Sequence, residues 1–293
     1  MKKTMKFIKD ISHVIGIASF IVTGIALLPS CDIVDEPYLK EIEGNNDTTP
    51  VEQHVRKVLL EDFTGQKCPN CPDAAVIAHT LQEVYGEQIV IVAVHAGNFA
   101  IPDGTFTADF RTTEGDELNS FFNISMYGYP MGLINRTEYN GYPVVPKENW
   151  ETAFGLQVEM DVQADISIVN DWNSGTRKLD CMIETEFLED LDGTYNICAF
   201  ITESGIISPQ QTSGGIVQDY VHNHMLRGSL NGTWGDLVGT DGLAIPGSKL
   251  TNSYTFTLPA EWVAENCAIV AYVYNTETLV VLQAEEEALV MGR

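Results

Sequence analysis

The feature that most constrains this chain is Cys68-Pro69-Asn70-Cys71, set between two segments of different periodicity. Val55 to Phe63 (VRKVLLEDF) has the β-branched and apolar content of a buried strand. Asp73 to Tyr85 places Ala75, Val76, Ala78, Leu81, Val84 and Tyr85 at helical spacing, and Gln88 to His95 (QIVIVAVH) reads as a second strand. The two cysteines therefore open a helix inside a strand–helix–strand unit. A thiol there meets unsatisfied N–H groups and the positive end of the helix dipole, which favours the thiolate. Pro69 fits the first turn, where its missing N–H leaves nothing unpaired. Cys68, the more N-terminal and expected to be the more exposed, is the natural attacking thiol. Cys71, three residues further in, resolves a mixed disulfide.

Asp62 lies six residues before Cys68, and Tyr129-Pro130 precedes the apolar stretch Met131 to Asn135. A hairpin follows, with strands over Met131–Arg136 and Tyr142–Val145 and a turn at Asn140-Gly141, and a helix begins at Pro146. This arrangement resembles the thioredoxin superfamily. The resemblance implies that Asp62 is a buried acid managing the proton of Cys71 and that Pro130 is a cis-proline abutting the disulfide. Lys67 stands where a tryptophan commonly precedes the first cysteine, and it is a candidate cation beside Cys68. His95, at the end of the second strand, is a candidate accessory acid/base, weighed against a hydrogen-bonded structural histidine. Residues 98–126 read as an insertion carrying short helices around Asp109–Arg111 and Glu114–Phe122.

The phrases VLLEDFTGQKCPNCP, VAVHAG, DFRTTEGDELNSFF, YGYPMGLINR and DYVHNHMLRGSLNGTWG make the resemblance closer. They are similar to the Bacteroidetes outer-membrane lipoprotein family named for the twenty-eight-kilodalton Omp protein, over about residues 54–290. Membership implies a thioredoxin-like domain with an appended β domain and a place in the cell envelope. It leaves the activity open between adhesin and oxidoreductase.

The N-terminus points the same way. Four lysines in the first nine residues precede an uncharged run from Val14 to Leu28, too short for a bilayer span of about 20 residues and suited to a signal h-region. Leu28-Pro29-Ser30-Cys31 resembles a lipobox, which makes residues 1–30 a lipoprotein signal peptide and Cys31 the acylated residue. Acyl chains then supply the membrane anchor. Residues 31–52 are acidic and lack periodicity, so they read as a tether. Asp47-Thr48-Thr49 resembles an O-glycosylation acceptor. The chain carries 41 acidic and 16 basic residues, net −25. Such a surface repels phosphate backbones and anionic headgroups, which excludes nucleic acid as a partner.

From Gln163 onward helical spacing disappears, and strand-like runs take over at Val162–Val169, Arg177–Leu188, Thr194–Thr202, Leu250–Leu258, Cys267–Tyr274 and Leu279–Ala284. The expected fold is an α/β thioredoxin-like domain over 53–160 followed by an all-β, Ig-like antiparallel sandwich over 161–293. Ser208 to Lys249, Gly-rich and polar, reads as a long loop presented for binding. His222-Asn223-His224 is a partial metal pattern without a third ligand, and no metal or cofactor is expected. Asp190-x-Asp192-Gly193 lacks the glutamate that would complete a calcium loop and reads as a turn. Cys181, Cys198 and Cys267 lie in strands, either as buried thiols or with a Cys198–Cys267 bridge. No G-x-S-x-G, Walker loop or H-E-x-x-H occurs. Two functions fit: a lipid-anchored outer-membrane exchanger of disulfides with envelope proteins, or an adhesin-type binding protein in which Cys68–Cys71 is a structural bridge.

Overall fold

The strand before the cysteines is buried along its whole length, as a strand packed on both faces must be. In the computed structural model, which describes residues 54–289, β1 (Val58–Thr64) is buried at every position and pairs in parallel with β2 (Ile89–His95). A parallel pair needs a crossover, and α1 (Cys71–Tyr85) supplies it, ending at Gly86 with φ 58°. The signal segment, Cys31, the tether and the Asp47-Thr48-Thr49 triplet lie outside the described residues.

The segment before β3 holds α2 (Thr113–Phe121) and α3 (Ile124–Tyr127), with the Thr112 hydroxyl accepting the Gly115 N–H at 2.9 Å as an N-cap. The short helix expected around Asp109–Arg111 is not formed. The Asp109 carboxylate accepts from the Arg111 backbone N–H and guanidinium, a local bond that competes with a helical turn. β3 (Met131–Ile134) runs antiparallel to β1, and β4 (Val144–Pro146) returns along it. Asn140 and Gly141, at φ 54° and 85°, form the tight turn, with Tyr139 and Tyr142 exchanging backbone hydrogen bonds. α4 (Trp150–Val158) packs beside α1, and the Trp150 indole donates to the Val145 carbonyl at 2.9 Å. A Cβ on Gly132 would lie 2.6 Å from that indole nitrogen, so the position requires glycine.

The second half supplies ten strands: β5 (Ala164–Asn173), β6 (Lys178–Phe187), β7 (Tyr195–Glu203), β8 (Ile206–Thr212), β9 (Gly215–His222), β10 (Met225–Ser229), β11 (Asp236–Leu237), β12 (Lys249–Thr257), β13 (Cys267–Asn275) and β14 (Val281–Ala288). They do not stay apart from the first half. One nine-stranded mixed sheet runs β14-β13-β7-β10-β2-β1-β3-β4, with β11 on β7, beside a three-stranded sheet β12-β6-β5 and the two-stranded β8-β9. β10 joins the halves: it pairs with β7, Met225 stands opposite Ala93 of β2, and the Ala93 N–H donates to the His224 carbonyl at 2.8 Å. Residues 54–289 thus lie within one compact unit, with the expected boundary at 160/161 inside it. Ser208–Lys249, read as a loop, contains β9, β10 and β11. Its glycines and polar residues hid them, because β9 is mostly solvent-exposed and β10 is short and interrupted by a bulge after Leu226.

Alternation divides the buried residues into three cores. Val58 and Leu60 of β1 face α1 and α4, meeting Leu81, Trp150 and Phe154. Leu59 and Phe63 face the other way, toward Phe200 of β7 and Tyr272 of β13. The opposite faces of β7 and β13, through Ile197, Ile201 and Ile269, pack on Ile166, Ile183 and Phe187 of the three-stranded sheet. Cys198 stands opposite Tyr272 and Cys267 opposite Glu203, so no Cys198–Cys267 bridge forms. Cys181, Cys198 and Cys267 are free and buried, and burial pushes each thiol up to about 12.

Within the middle core lies a fully buried ion pair. Asn135 and Arg136, at φ 47° and 53°, turn the chain after β3, and the Arg136 guanidinium bonds both Glu61 carboxylate oxygens at 2.7 and 2.8 Å. It also donates to the Tyr272 hydroxyl at 2.8 Å and lies 5.0 to 5.6 Å from the ring centres of Phe122, Tyr272 and Tyr274. Arg136→Met leaves Glu61 charged and unpaired, and is expected to lower stability by about 3–5 kcal/mol. Glu61→Leu combined with Arg136→Met should recover most of that loss. Urea unfolding of the two variants checks it; equal losses would show that the uncompensated charge is not the cause.

Candidate functional site

Cys68 and Cys71 form a disulfide, with Cα atoms 5.5 Å apart. The local fold differs from expectation in two details. The helix begins at Cys71, so Pro72 occupies its first turn while Pro69 sits in the preceding turn. The Cys68 N–H donates to the Gly65 carbonyl and the Lys67 N–H to the Phe99 carbonyl, both at 3.0 Å, which sets the loop ahead of the helix. Lys67 does not offer a free cation to the sulfur, because its ammonium is paired with Asp103 at 2.9 Å.

The larger correction concerns access. Cys68, read as the exposed thiol, is 1% exposed, and Cys71 is 2% exposed. The β8–β9 hairpin contacts the loop that carries them. Gln210 Nε2 donates to the carbonyls of Cys68 at 3.0 Å and Gly65 at 3.3 Å, and the Gln211 N–H donates to the Gln66 carbonyl at 2.8 Å. These residues are some 140 positions from the cysteines, and nothing local in the sequence marked them.

Beside Cys71 lies a cavity of about 40 Å³ lined in part by Asp62, His95, Gln210, Tyr220 and His222. Asp62 projects from β1 toward the α1 side, opposite in direction to its neighbour Glu61. It is buried, its Oδ1 has no hydrogen-bond partner among the described residues, and burial pushes its carboxyl up to about 7. Burial, with the added repulsion of His222 and Arg227, brings His95 down to about 3. Burial brings His222 down to about 4, against the opposing contact of its Nε2 with the Ser208 carbonyl at 3.3 Å. Both imidazoles are therefore neutral at pH 7. The His95 ring lies 5.3 Å from Phe110 and 5.5 Å from His222, and Tyr220 lies 4.8 Å from His222.

The Tyr129-Pro130 bond is cis. The pairing of Phe63 with Met131 brings Pro130 beside Thr64, at the end of β1 from which the Cys68 loop departs. The Tyr129 ring lies edge-on to Phe99, whose carbonyl holds Lys67, and its hydroxyl donates to Asn119 of α2. The two histidines of His222-Asn223-His224 part company. β9 ends at His222, and the positive φ of His224, 53°, turns its ring toward Glu286, 3.9 Å away, while His222 enters the cavity. Among the described residues no group of three His, Cys, Asp or Glu side chains is placed to hold a metal ion. Asp190-Leu191-Asp192-Gly193 lies in an irregular connection rather than the expected hairpin turn, because β6 and β7 belong to different sheets and Leu191 bridges to Ala244.

The raised carboxyl makes a pH prediction. Asp62 takes up a proton on folding between about 4 and 7, so its contribution to stability is complete below about 4 and is lost as pH rises through about 7. His95 and His222 act in the opposite sense, losing stability as pH falls below about 6.5, so the Asp62 effect appears in a difference. Asp62→Asn should gain stability relative to wild type progressively from about pH 4 to about pH 7 and show a constant advantage above that. Urea midpoints of both proteins from about pH 4 to about pH 8 test this; a difference constant throughout would mean that Asp62 titrates normally.

The profile of the family described as Outer membrane protein Omp28 matches residues 116–291. That span takes in Pro130 and the hairpin and begins after the cysteines. HBP35 of Porphyromonas gingivalis shares the fold at a TM-score of 0.60 and 17% identity, over 81% of this chain and 76% of that one. A domain of the outer membrane lipoprotein Omp28 from Porphyromonas gingivalis is 22% identical at a TM-score of 0.31, over 46% of this chain and 96% of that domain. No curated protein matches.

Proposed function

The chain belongs to the Omp28 family of outer membrane proteins, and from that premise we propose that it is a lipid-anchored envelope protein with a thioredoxin-like scaffold, exchanging its Cys68–Cys71 disulfide with cysteine pairs of other envelope proteins. The order of β1, the cysteines, α1, β2, cis-Pro130, β3, β4 and α4 supports the scaffold reading. The observation that carries the chemistry is Asp62. A buried carboxyl with an unpaired oxygen costs stability, and this one faces the same cavity as Cys71. Near neutral pH it exists in both protonation states, as a proton acceptor and donor for a thiol requires.

The reaction runs as follows. A partner thiolate attacks Cys68 Sγ; the new S–S bond forms as the Cys68–Cys71 bond breaks, and the electron pair leaves on Cys71. Protonated Asp62 gives Cys71 its proton. The partner's second thiolate attacks the partner sulfur of the mixed disulfide and releases Cys68, which takes a proton from solvent. The partner leaves oxidised by two electrons, Cys68 and Cys71 are reduced, and Asp62 regains its proton from water. In the reverse direction the Cys68 thiolate attacks a partner disulfide. Cys71→Ser should therefore accumulate mixed disulfides with envelope proteins at least tenfold over Cys68→Ser, read on non-reducing gels after acid quenching. Equal trapping by the two variants overturns the assigned order.

The burial of both sulfurs favours a second reading, a binding protein stapled by a structural disulfide. A reduction potential below about −300 mV, with no trapping by either variant, would select it. Anchoring is tested separately. Cys31→Ser should abolish incorporation of a fatty-acid analogue and shift the protein from the membrane to the soluble fraction; undiminished label would refute the lipobox.

A further inference from the structure

We infer that the β8–β9 hairpin is a removable cover that regulates the Cys68–Cys71 pair, with Gln210 as its latch; the inference rests on the exchange reading above. Both cysteines are buried, and an incoming thiolate needs a line of approach to Cys68 Sγ that a closed hairpin denies. Three observations separate this element from the rest of the fold.

The first is its root. Residues 204–224 leave the nine-stranded sheet after Glu203 and re-enter it at Met225, and those two residues are paired across β7 and β10. The Arg227 guanidinium, 3.3 Å from the Glu203 carboxylate, and the Ala93 N–H on the His224 carbonyl pin the same point. Gly205 at φ 74° and His224 at φ 53° turn the chain out and back. The hairpin can swing about this base without breaking a ladder bond of the large sheet.

The second is how it is held. Its two strands pair only with each other, and a two-stranded hairpin has little stability of its own. None of residues 206–222 belongs to the three apolar cores. Its buried side chains in β8 and β9 are Ser208, Gln210 and His222, all polar. Closure therefore depends on the ring contacts of His222 with His95 and Phe110 and on a few hydrogen bonds, of which Gln210 to Cys68 and Gly65, and Gln211 to Gln66, reach the cysteine loop directly.

The third is what lies beneath. Tyr220 and His222 line the cavity that also holds Asp62 and Cys71. Lifting the hairpin uncovers the disulfide and the acid together, so one movement both admits the partner and hydrates the proton acceptor.

The test is the rate at which tris(2-carboxyethyl)phosphine reduces the disulfide of the folded protein. The phosphine becomes its oxide, taking oxygen from water, and the cysteine pair gains two electrons and two protons. Gln210→Ala should be reduced about tenfold faster than wild type, the effect of losing the latch hydrogen bonds, with its circular dichroism unchanged. Hydrogen exchange in wild type should show residues 206–222 opening together well above the rate of global unfolding, a measurement that stands even if the variant fails to fold. An unchanged reduction rate in folded Gln210→Ala, or hairpin exchange only through global unfolding, overturns the cover whatever the exchange chemistry does. Faster reduction of Gln210→Ala without mixed disulfides in Cys71→Ser carrying Gln210→Ala upholds the cover and defeats the exchange reading.

Discussion

The contact on which the architecture turns is the buried pair of Glu61 and Arg136. Two charges removed from water are tolerated only when geometry and additional partners are good, and here the partners come from both halves of the chain. Glu61 sits on β1, Arg136 just beyond β3, and the Tyr272 hydroxyl and the aromatic faces around the guanidinium belong largely to β13 and its surroundings. The two charges meet within the first half, and the strands of the second half, closing over β1 in the shared sheet, add the Tyr272 hydroxyl as an acceptor and bury the pair in the middle core.

Strand alternation then gives the next residue the opposite environment. Glu61 and Asp62 are adjacent acids on one buried strand, but their side chains leave on opposite faces. Glu61 meets a guanidinium and is fully compensated. Asp62 meets the α1 side, where no cation compensates it, and its proton is retained into the neutral range. One strand therefore carries a structural carboxylate and a titrating carboxyl side by side, and the face each one occupies decides which is which.

The same joining of halves shapes the cysteine site. Cys68, Cys71, Asp62 and His95 come from the first half; Gln210, Tyr220 and His222 come from an excursion between β7 and β10. Since β10 inserts next to β2, the hairpin that precedes it is delivered onto the end of the parallel pair where the cysteine loop begins. The family match, which begins after the cysteines, covers the part of the chain that closes over them.

What could be read along the chain was whatever depends on neighbours in sequence. The strand–helix–strand unit, the cysteine pair at the helix start and the Asn140-Gly141 turn express periodicity or backbone preference over a few residues, whereas Asp62 and Tyr129-Pro130 were marked only by a family resemblance. Cys181, Cys198 and Cys267 could be placed in strands, but whether Cys198 and Cys267 are bridged or free was decided by the register of β7 and β13. The pairing of β10 with β2, the hydrogen bond of Gln210 to the Cys68 carbonyl, and the partner of Glu61 were not legible, because each joins residues 75 to 142 positions apart. β9 was hidden for a related reason: it is exposed on both faces over most of its length, so it lacks the apolar alternation that marks a half-buried strand. His222 shows the difference most plainly. Its sequence neighbours offered only a partial metal pattern within an expected loop, whereas the left-handed turn at His224 and the packing of the hairpin made it a neutral ring against His95. Local pattern sets which residues form an element and which way they alternate; the burial, charge state and access of those residues follow from the distant segment packed against them.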